Sequence, residues 1–273
     1  MPSMTMSPQL FVLFTSLVEE VSGMSYGLHD NELFSSKLAD HAIDLGYTSL
    51  LDYYYRLRYD DKEGYEIRRL IEALLVHETY FFRELPPLVE LVDGHLAAIC
   101  KQRGRARVWS AACASGEEPY TLAMLLEERG LLDKVAIIGT DLSAAVLARA
   151  ESGRHSRRAL RDGYPPELVA RYLEVSPQGV IVAPRIRSAV TFERLNLLDA
   201  AAVAKLGSFD AILCRNVLIY FKETRVLSVV DRLAAALAPG GLLAVGVSES
   251  LLRFGTSLVC EERGGSFFYR RAT

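Results

Sequence analysis

Three short stretches carry side chains whose types and spacing could hold a ligand. The first is Ser110-Ala111-Ala112-Cys113-Ala114-Ser115-Gly116-Glu117-Glu118-Pro119, a run of small residues closed by one glycine, two carboxylates and a proline. The second is Asp141 and the third Arg215-Asn216. Small side chains let a ligand approach backbone amides, and Pro119 suits the first turn of a helix. A dinucleotide site would show G-x-G-x-x-G, which leaves room for a pyrophosphate. Here a single glycine is followed by Glu117 and Glu118, and carboxylates at that point repel a pyrophosphate. They suit a ligand that is cationic or offers hydroxyls and an amine, as S-adenosylmethionine does with its sulfonium and amino groups. Asp141 lies 25 residues after Gly116, close to the ~20 of the ribose-binding acid in nucleotide folds. Its carboxylate can accept from both ribose hydroxyls, and it can also cap the helix that follows; the two roles are compatible. Asn216 offers a donor and an acceptor to an adenine edge or an amino-acid moiety, the plain alternative being a turn asparagine.

Other chemistries lack a constellation. Cys100, Cys113, Cys214 and Cys260 form no C-x-x-C pair, so reduced thiols are expected rather than disulfides. The five histidines, His29, His41, His77, His95 and His155, show no H-E-x-x-H spacing, and no metal site is expected.

The elements that must position these residues change character along the chain. In the first ninety residues, apolar positions at helical spacing predict helices over Leu10–Val21, Leu33–Leu45, Leu50–Leu57 and Ile67–Phe82. Pro86 and Pro87 are expected to stop the last of these, and a linking helix runs from Leu88 to Cys100. Beyond Arg107 strands alternate with helices. The predicted strands are Arg107–Cys113, Val135–Thr140, Phe209–Cys214 and Leu242–Val247; the helices are Pro119–Arg129, Ser143–Ser152 and Glu223–Leu237, with a turn at Pro239-Gly240-Gly241. That alternation predicts an α/β fold with an open, mostly parallel sheet, whose ligands bind at the carboxyl ends of the strands. A Pro- and Gly-containing interruption near Arg154–Val190, with the alternating stretch Gly179–Ala183, reads as a small inserted β element.

Composition bounds the rest. The chain has 273 residues, 50% hydrophobic and 24% charged, which excludes disorder as the whole account. Net charge is −3: residues 1–90 hold 7 Lys+Arg against 15 Asp+Glu, and the remainder 24 against 19. The first part therefore carries no basic nucleic-acid footprint and the second a weak one. No apolar run approaches the ~18–20 residues of a membrane span. Met1–Leu13 lacks the basic flank and cleavage site of a leader. A soluble, cytoplasmic monomer without nucleic-acid binding or membrane insertion is expected.

Several segments in order resemble the chemotaxis receptor methyltransferases, the CheR family. They are Glu78-Thr79-Tyr80-Phe81-Phe82-Arg83, Trp109-Ser110-Ala111-Ala112, Ser115-Gly116-Glu117-Glu118-Pro119-Tyr120, Thr140-Asp141-Leu142, Asn196-Leu197-Leu198, and Cys214-Arg215-Asn216-Val217-Leu218-Ile219-Tyr220-Phe221. Gly246-Val247-Ser248-Glu249 resembles the family's Gly-His-Ser-Glu, with valine for histidine. The resemblance spans about residues 10–270. It implies an N-terminal all-helical domain (1–88) and a Rossmann-like S-adenosylmethionine-dependent methyltransferase domain (89–273). A small antiparallel β subdomain is inserted at about 154–190. It also implies methyl transfer to glutamates on the cytoplasmic methylation helices of chemoreceptors or a related signalling protein, giving methyl esters and S-adenosylhomocysteine.

Carried over position by position, the cofactor contacts are His77, Thr79, Arg83, Glu117 or Glu118, Asp141, Asn196, Leu197, Asn216 and Val217. Arg83 and Tyr220 are the candidates for steering the incoming carboxylate. A glutamate is already ionised at neutral pH, its pKa being about 4.3, so the attack needs no general base. Phe81, Phe82 and Trp109 read as core. Three departures stand out. His77 replaces an asparagine. Ser35–Asp44 holds one lysine and two aspartates where typical members are basic. The run Glu174–Gly179 lacks the glycine-rich insertion of members that bind a receptor's C-terminal pentapeptide, so no tether is expected. The inserted region 149–190, with eight Arg against four acidic residues, reads as the protein-contact surface. A cofactor-binding scaffold that has lost transfer is the competing reading.

Overall fold

The computed structural model describes residues 4–272; Met1, Pro2 and Ser3, where the segment read for a leader begins, lie outside the described residues, as does Thr273. Two compact units result. One comprises residues up to Val76 together with Tyr220–Arg225; the other comprises His77–Ile219 and the chain from Val226 onward.

The first unit is helical. α1 (Pro8–Ser22) starts where the Ser7 hydroxyl accepts from the Leu10 N–H and stops at Gly23, whose φ of 80° a glycine adopts without strain. α2 (Asn31–Asp44), α3 (Leu50–Tyr55) and α4 (Tyr65–Leu74) follow. Their apolar faces meet in a core of Phe11, Phe14, Phe34, Tyr53 and Leu70, with Phe11 edge-on to Phe34 at 5.5 Å. The segment from Tyr220 belongs here because the Ser25 N–H donates to the Tyr220 carbonyl at 2.8 Å. Phe221 also bridges Met24, and Lys222 pairs with Glu19 at 2.6 Å.

The second unit opens with α5 (Leu85–Glu90) and α6 (Ala97–Arg103), joined by a wide-turn stretch Leu91–Leu96. There follow β1 (Ala106–Ala111), α7 (Glu117–Glu128), β2 (Val135–Asp141) and α8 (Ala144–Ser152). Next come β3 (Arg154–His155), α9 (Pro166–Tyr172), β4 (Leu173–Ser176), β5 (Gly179–Val182) and α10 (Pro184–Arg187). The unit ends with β6 (Val190–Arg194), α11 (Ala200–Lys205), β7 (Phe209–Cys214), α12 (Glu223–Ala236, counted here from Val226), β8 (Leu237–Val245), β9 (Val259–Arg263) and β10 (Ser266–Arg270).

Seven strands make one sheet in the order β6-β2-β1-β7-β8-β10-β9, parallel from β6 to β8 and closed by an antiparallel hairpin. The chain moves from β1 out to one side and returns through β7 on the other, so the topological switch lies between them. Every residue of β7 is buried, as a central strand of a parallel sheet requires. Trp109 is fully buried, packs 5.5 Å from Phe209 and donates from Nε1 to Thr140 at 2.9 Å. The inserted element is the separate antiparallel sheet β3-β5-β4.

Three expectations are corrected. The helix expected over Ile67–Phe82 stops at Leu74, where Leu75 turns extended, and residues 75–84 form no helix. Phe82 and Glu84 sit at φ 64° and 46°, values that break a right-handed helix. Pro86 and Pro87 accordingly start α5 rather than ending its predecessor: in a first turn the missing N–H has no partner to lose. The strand expected from Leu242 begins at Leu237, and Pro239-Gly240-Gly241 form an irregularity inside it, the register with β7 jumping from Phe209↔Leu237 to Ala211↔Leu242.

Candidate active site

At the carboxyl ends of β1 and β2 the small-residue loop is tied to the aspartate. The Cys113 N–H donates to the Thr140 carbonyl, and Asp141 accepts the N–H of Ala114 at one oxygen and that of Ser143 at the other, each at 2.9 Å. Asp141 thus organises both the loop and the entry to α8, which Ser143 caps. Gly116, at φ +92°, has no room for a Cβ: Ala150 and Phe192 would lie 3.0 Å away. Among the described residues, the non-glycine positive-φ positions are Phe82, Glu84, Ala112, Ala114 and Asn216. All fall in loops that carry the expected site residues, where such strain collects.

The two glutamates of α7 have different partners. Glu117 is buried and accepts from the Ser115 hydroxyl at 2.8 Å and from Nδ1 of His155 at 2.9 Å. Glu118 accepts from the Ser110 hydroxyl at 2.7 Å and from Nη1 of Arg215 at 2.8 Å.

Arg215 is the hub of a second cluster. Its side chain is 1% exposed, and its Nη2 donates to the carbonyls of Arg83 (2.9 Å) and Glu84 (3.1 Å) and to the Glu84 carboxylate (3.0 Å). Glu84 also accepts from the Asn216 side-chain amide at 3.2 Å and the Val247 N–H at 3.3 Å. Burial pushes the Glu84 carboxyl up, yet Arg215 and these donors outweigh it and hold it below the ordinary value. Glu249 accepts the N–H groups of Asn216 (2.6 Å), Gly246 (2.8 Å) and Ile219 (3.2 Å). The valine that replaces histidine at 247 contributes its backbone to Glu84, while the residue itself is 78% exposed.

The segment before Glu84 carries the remaining candidates. His77, Thr79 and Arg83 are half-buried. Arg83 donates to the Glu78 carbonyl at 2.8 Å and lies 5.5 Å from the Tyr80 ring centre. Phe81 is buried, and the Phe82 N–H donates to Thr121 at 3.1 Å. Asn196 follows β6, held to the end of β2 by the Leu195 N–H on the Asp141 carbonyl; its Oδ1 accepts the Leu198 N–H at 2.9 Å, and Leu197 is buried. Val217 is half-buried beside Asn216.

The hydrogen bonds therefore join Arg83, Glu118 and Asn216 through Arg215 and Glu84, and join Asp141 to the Asn196 segment. Tyr220 falls in the helical unit. Glu84, Glu249 and His155 were not among the expected site residues, and Arg215 stood in an expected ligand stretch without an assigned role. One signal pointed to Arg215 and Glu84: an arginine directly after the apolar strand Ala211–Cys214 needs buried counter-charges, and Glu118 and Glu84 are those.

Cys113 and Cys214 flank these loops, and burial pushes both thiols well up, so neither supplies a thiolate at neutral pH. A carboxylate on β2, a close-approach loop without pyrophosphate space, and acidic rather than basic residues opening α7 fit a nucleoside carrying a sulfonium and an amino acid. Fold and site define an S-adenosylmethionine-dependent methyltransferase.

Residues 77–262 match the family described as CheR methyltransferase, SAM binding domain. The chain is 37% identical over 250 residues to chemotaxis protein methyltransferase 1 of Pseudomonas aeruginosa, covering 88% of this chain and 90% of that one. It is 34% identical over 260 residues to a chemotaxis protein methyltransferase of Vibrio parahaemolyticus, covering 92% of each. The chain belongs to the CheR methyltransferase family.

Proposed function

We propose that the methyl acceptors are glutamate side chains of chemoreceptors, esterified without a pentapeptide tether. S-adenosylmethionine, when bound, supplies an electrophilic methyl on a sulfonium. In this reading Asp141 accepts from the ribose hydroxyls. His77, Thr79, Asn196, Leu197, Asn216 and Val217 complete the cofactor's surroundings. Of the two glutamates, Glu118 is the nearer partner, because it shares Arg215 with the Arg83–Asn216 cluster while Glu117 is engaged by His155. Arg83 orients the substrate carboxylate, whose ionised state at neutral pH removes the need for a base.

The observation that carries this reading is the backbone of Arg83, anchored by the buried Arg215, while its guanidinium donates to the Glu78 carbonyl in the same loop. A guanidinium presents paired donors to a carboxylate. The two-residue link Pro177-Gln178 between β4 and β5 supports independence from a tether, since it leaves no glycine-rich insertion there.

Calorimetric titration with S-adenosylhomocysteine on wild type and Asp141→Ala tests the cofactor assignment. Micromolar binding that the variant loses supports it. Base-labile methyl esters on receptor fragments would then establish the acceptor, whereas binding without ester formation would favour a scaffold. The monomeric state is part of the proposal and is read by light scattering.

A further inference from the structure

Resting on the glutamate-methylation reading, we infer that Arg154, Arg157 and Arg158 form the dock for a glutamate-rich helix of the substrate protein, set beside the loop that carries Arg83. Of the eight arginines in residues 149–190, Arg149 lies on α8 and Arg187 donates to the Ser152 carbonyl; the other six fall into two groups. Arg171 pairs with Glu128, Arg185 with Glu127 and Asp133, and Arg161 with Glu78; these charges are already answered. Arg154, Arg157 and Arg158 are exposed, and among the described residues their guanidinium groups take part in no hydrogen bond or ion pair. The nearby carboxylates are Glu151 and Asp162 along the chain and Glu174, which pairs with Ile181 across the strand from Arg154.

The same six-residue stretch holds the site loops from its inward side. His155 donates to Glu117 in the first turn of α7, and the Ala159 carbonyl accepts the Phe81 N–H at 2.8 Å. Two residues further on, Arg161 binds Glu78 at 2.8 Å and covers the Tyr80 ring at 4.1 Å. Outward arginines thus alternate with inward anchors to the 78–84 segment. A partner seated on the arginines lies against the loop of Arg83. Arginine forks match carboxylates in pairs, and unpaired surface charge of one sign steers and selects a partner of the other. The α2 helix cannot serve that purpose, having one lysine against Glu32, Asp40 and Asp44.

The test compares full-length wild type, the triple variant Arg154→Glu/Arg157→Glu/Arg158→Glu and the corresponding triple lysine variant. Each is assayed with a soluble cytoplasmic fragment of a chemoreceptor and S-adenosylmethionine bearing a radiolabelled methyl. The expected result is a KM for the fragment at least about tenfold higher in the glutamate variant, with kcat and S-adenosylhomocysteine affinity within about twofold of wild type. The lysine variant should recover most of the affinity, and raising salt should increase KM for wild type more steeply than for the glutamate variant. An unchanged KM overturns the dock and leaves the methylation reading standing. A KM rise matched by loss of cofactor affinity also overturns it, because the site loop has then collapsed. Duplex DNA bound by wild type and lost in the variant, with KM unmoved, assigns the patch to nucleic acid instead. A wild type that binds S-adenosylhomocysteine yet methylates no fragment removes both proposals.

Discussion

Nη2 of Arg215 donates to the backbone carbonyl of Arg83 at 2.9 Å, across 132 positions of sequence. Through that bond the residue after β7 holds the backbone of the loop that precedes α5, and Glu118 on α7 receives the other arm of the same guanidinium. One buried cation therefore joins three segments that carry expected cofactor contacts.

Arg215→Lys should fold less stably and transfer methyl poorly. A lysine supplies one point of donation where the guanidinium reaches Glu118, Glu84 and two carbonyls. The charge is kept, so the expected loss is that of buried groups left without a donor, about 1–3 kcal/mol. Urea unfolding reads the stability. A midpoint equal to wild type, with full activity, would show that the cluster is dispensable.

Glu84 makes stability depend on acid. Its carboxyl is held low in the fold by Arg215, the Asn216 amide and the Val247 N–H, against the opposing effect of burial. A lowered folded value means that its contribution is complete above the unfolded value of about 4.3 and is lost as pH falls through the folded one. Urea midpoints measured from pH 6 down to pH 3 should fall, and Glu84→Gln should fall less over that range.

Gly246 abuts the Glu249 network. A Cβ there would lie 2.7 Å from both the Asn216 side-chain amide and the Glu249 carboxylate. Gly246→Ala must displace one of them, so S-adenosylhomocysteine affinity should drop by at least about tenfold, the equivalent of roughly 1.4 kcal/mol. Titration calorimetry checks this, with circular dichroism to establish that the variant is folded.

Arg83→Lys separates orientation from cofactor binding. The guanidinium donates to the Glu78 carbonyl and lies by the Tyr80 ring, while the backbone is held independently by Arg215. The variant should keep S-adenosylhomocysteine affinity within a few-fold and lose at least about tenfold in methyl transfer, because a lysine cannot offer the paired donors of a fork. Equal losses in both would reassign Arg83 to the cofactor alone.

The sequence by itself determined the alternation of buried strands and helices. It located the helix that is α8 at Ser143–Ser152 and the run of small residues from Ser110 to Gly116. These are local matters: apolar periodicity, capping side chains and residue volume act within a few positions of the chain. It also placed the inserted β element, because Pro and Gly interrupt the βα rhythm. Only the tertiary structure decided the path of residues 75–84. There a helical pattern yields to left-handed Phe82 and Glu84, since Thr121, Ala159 and Arg215 offer hydrogen bonds that a continuing helix would forgo. It likewise decided that Glu117 answers His155 and Glu118 answers Arg215, and that Tyr220 groups with the helical unit. Which buried charge meets which depends on where distant segments converge, and a desolvated ion keeps its charge only where a partner waits.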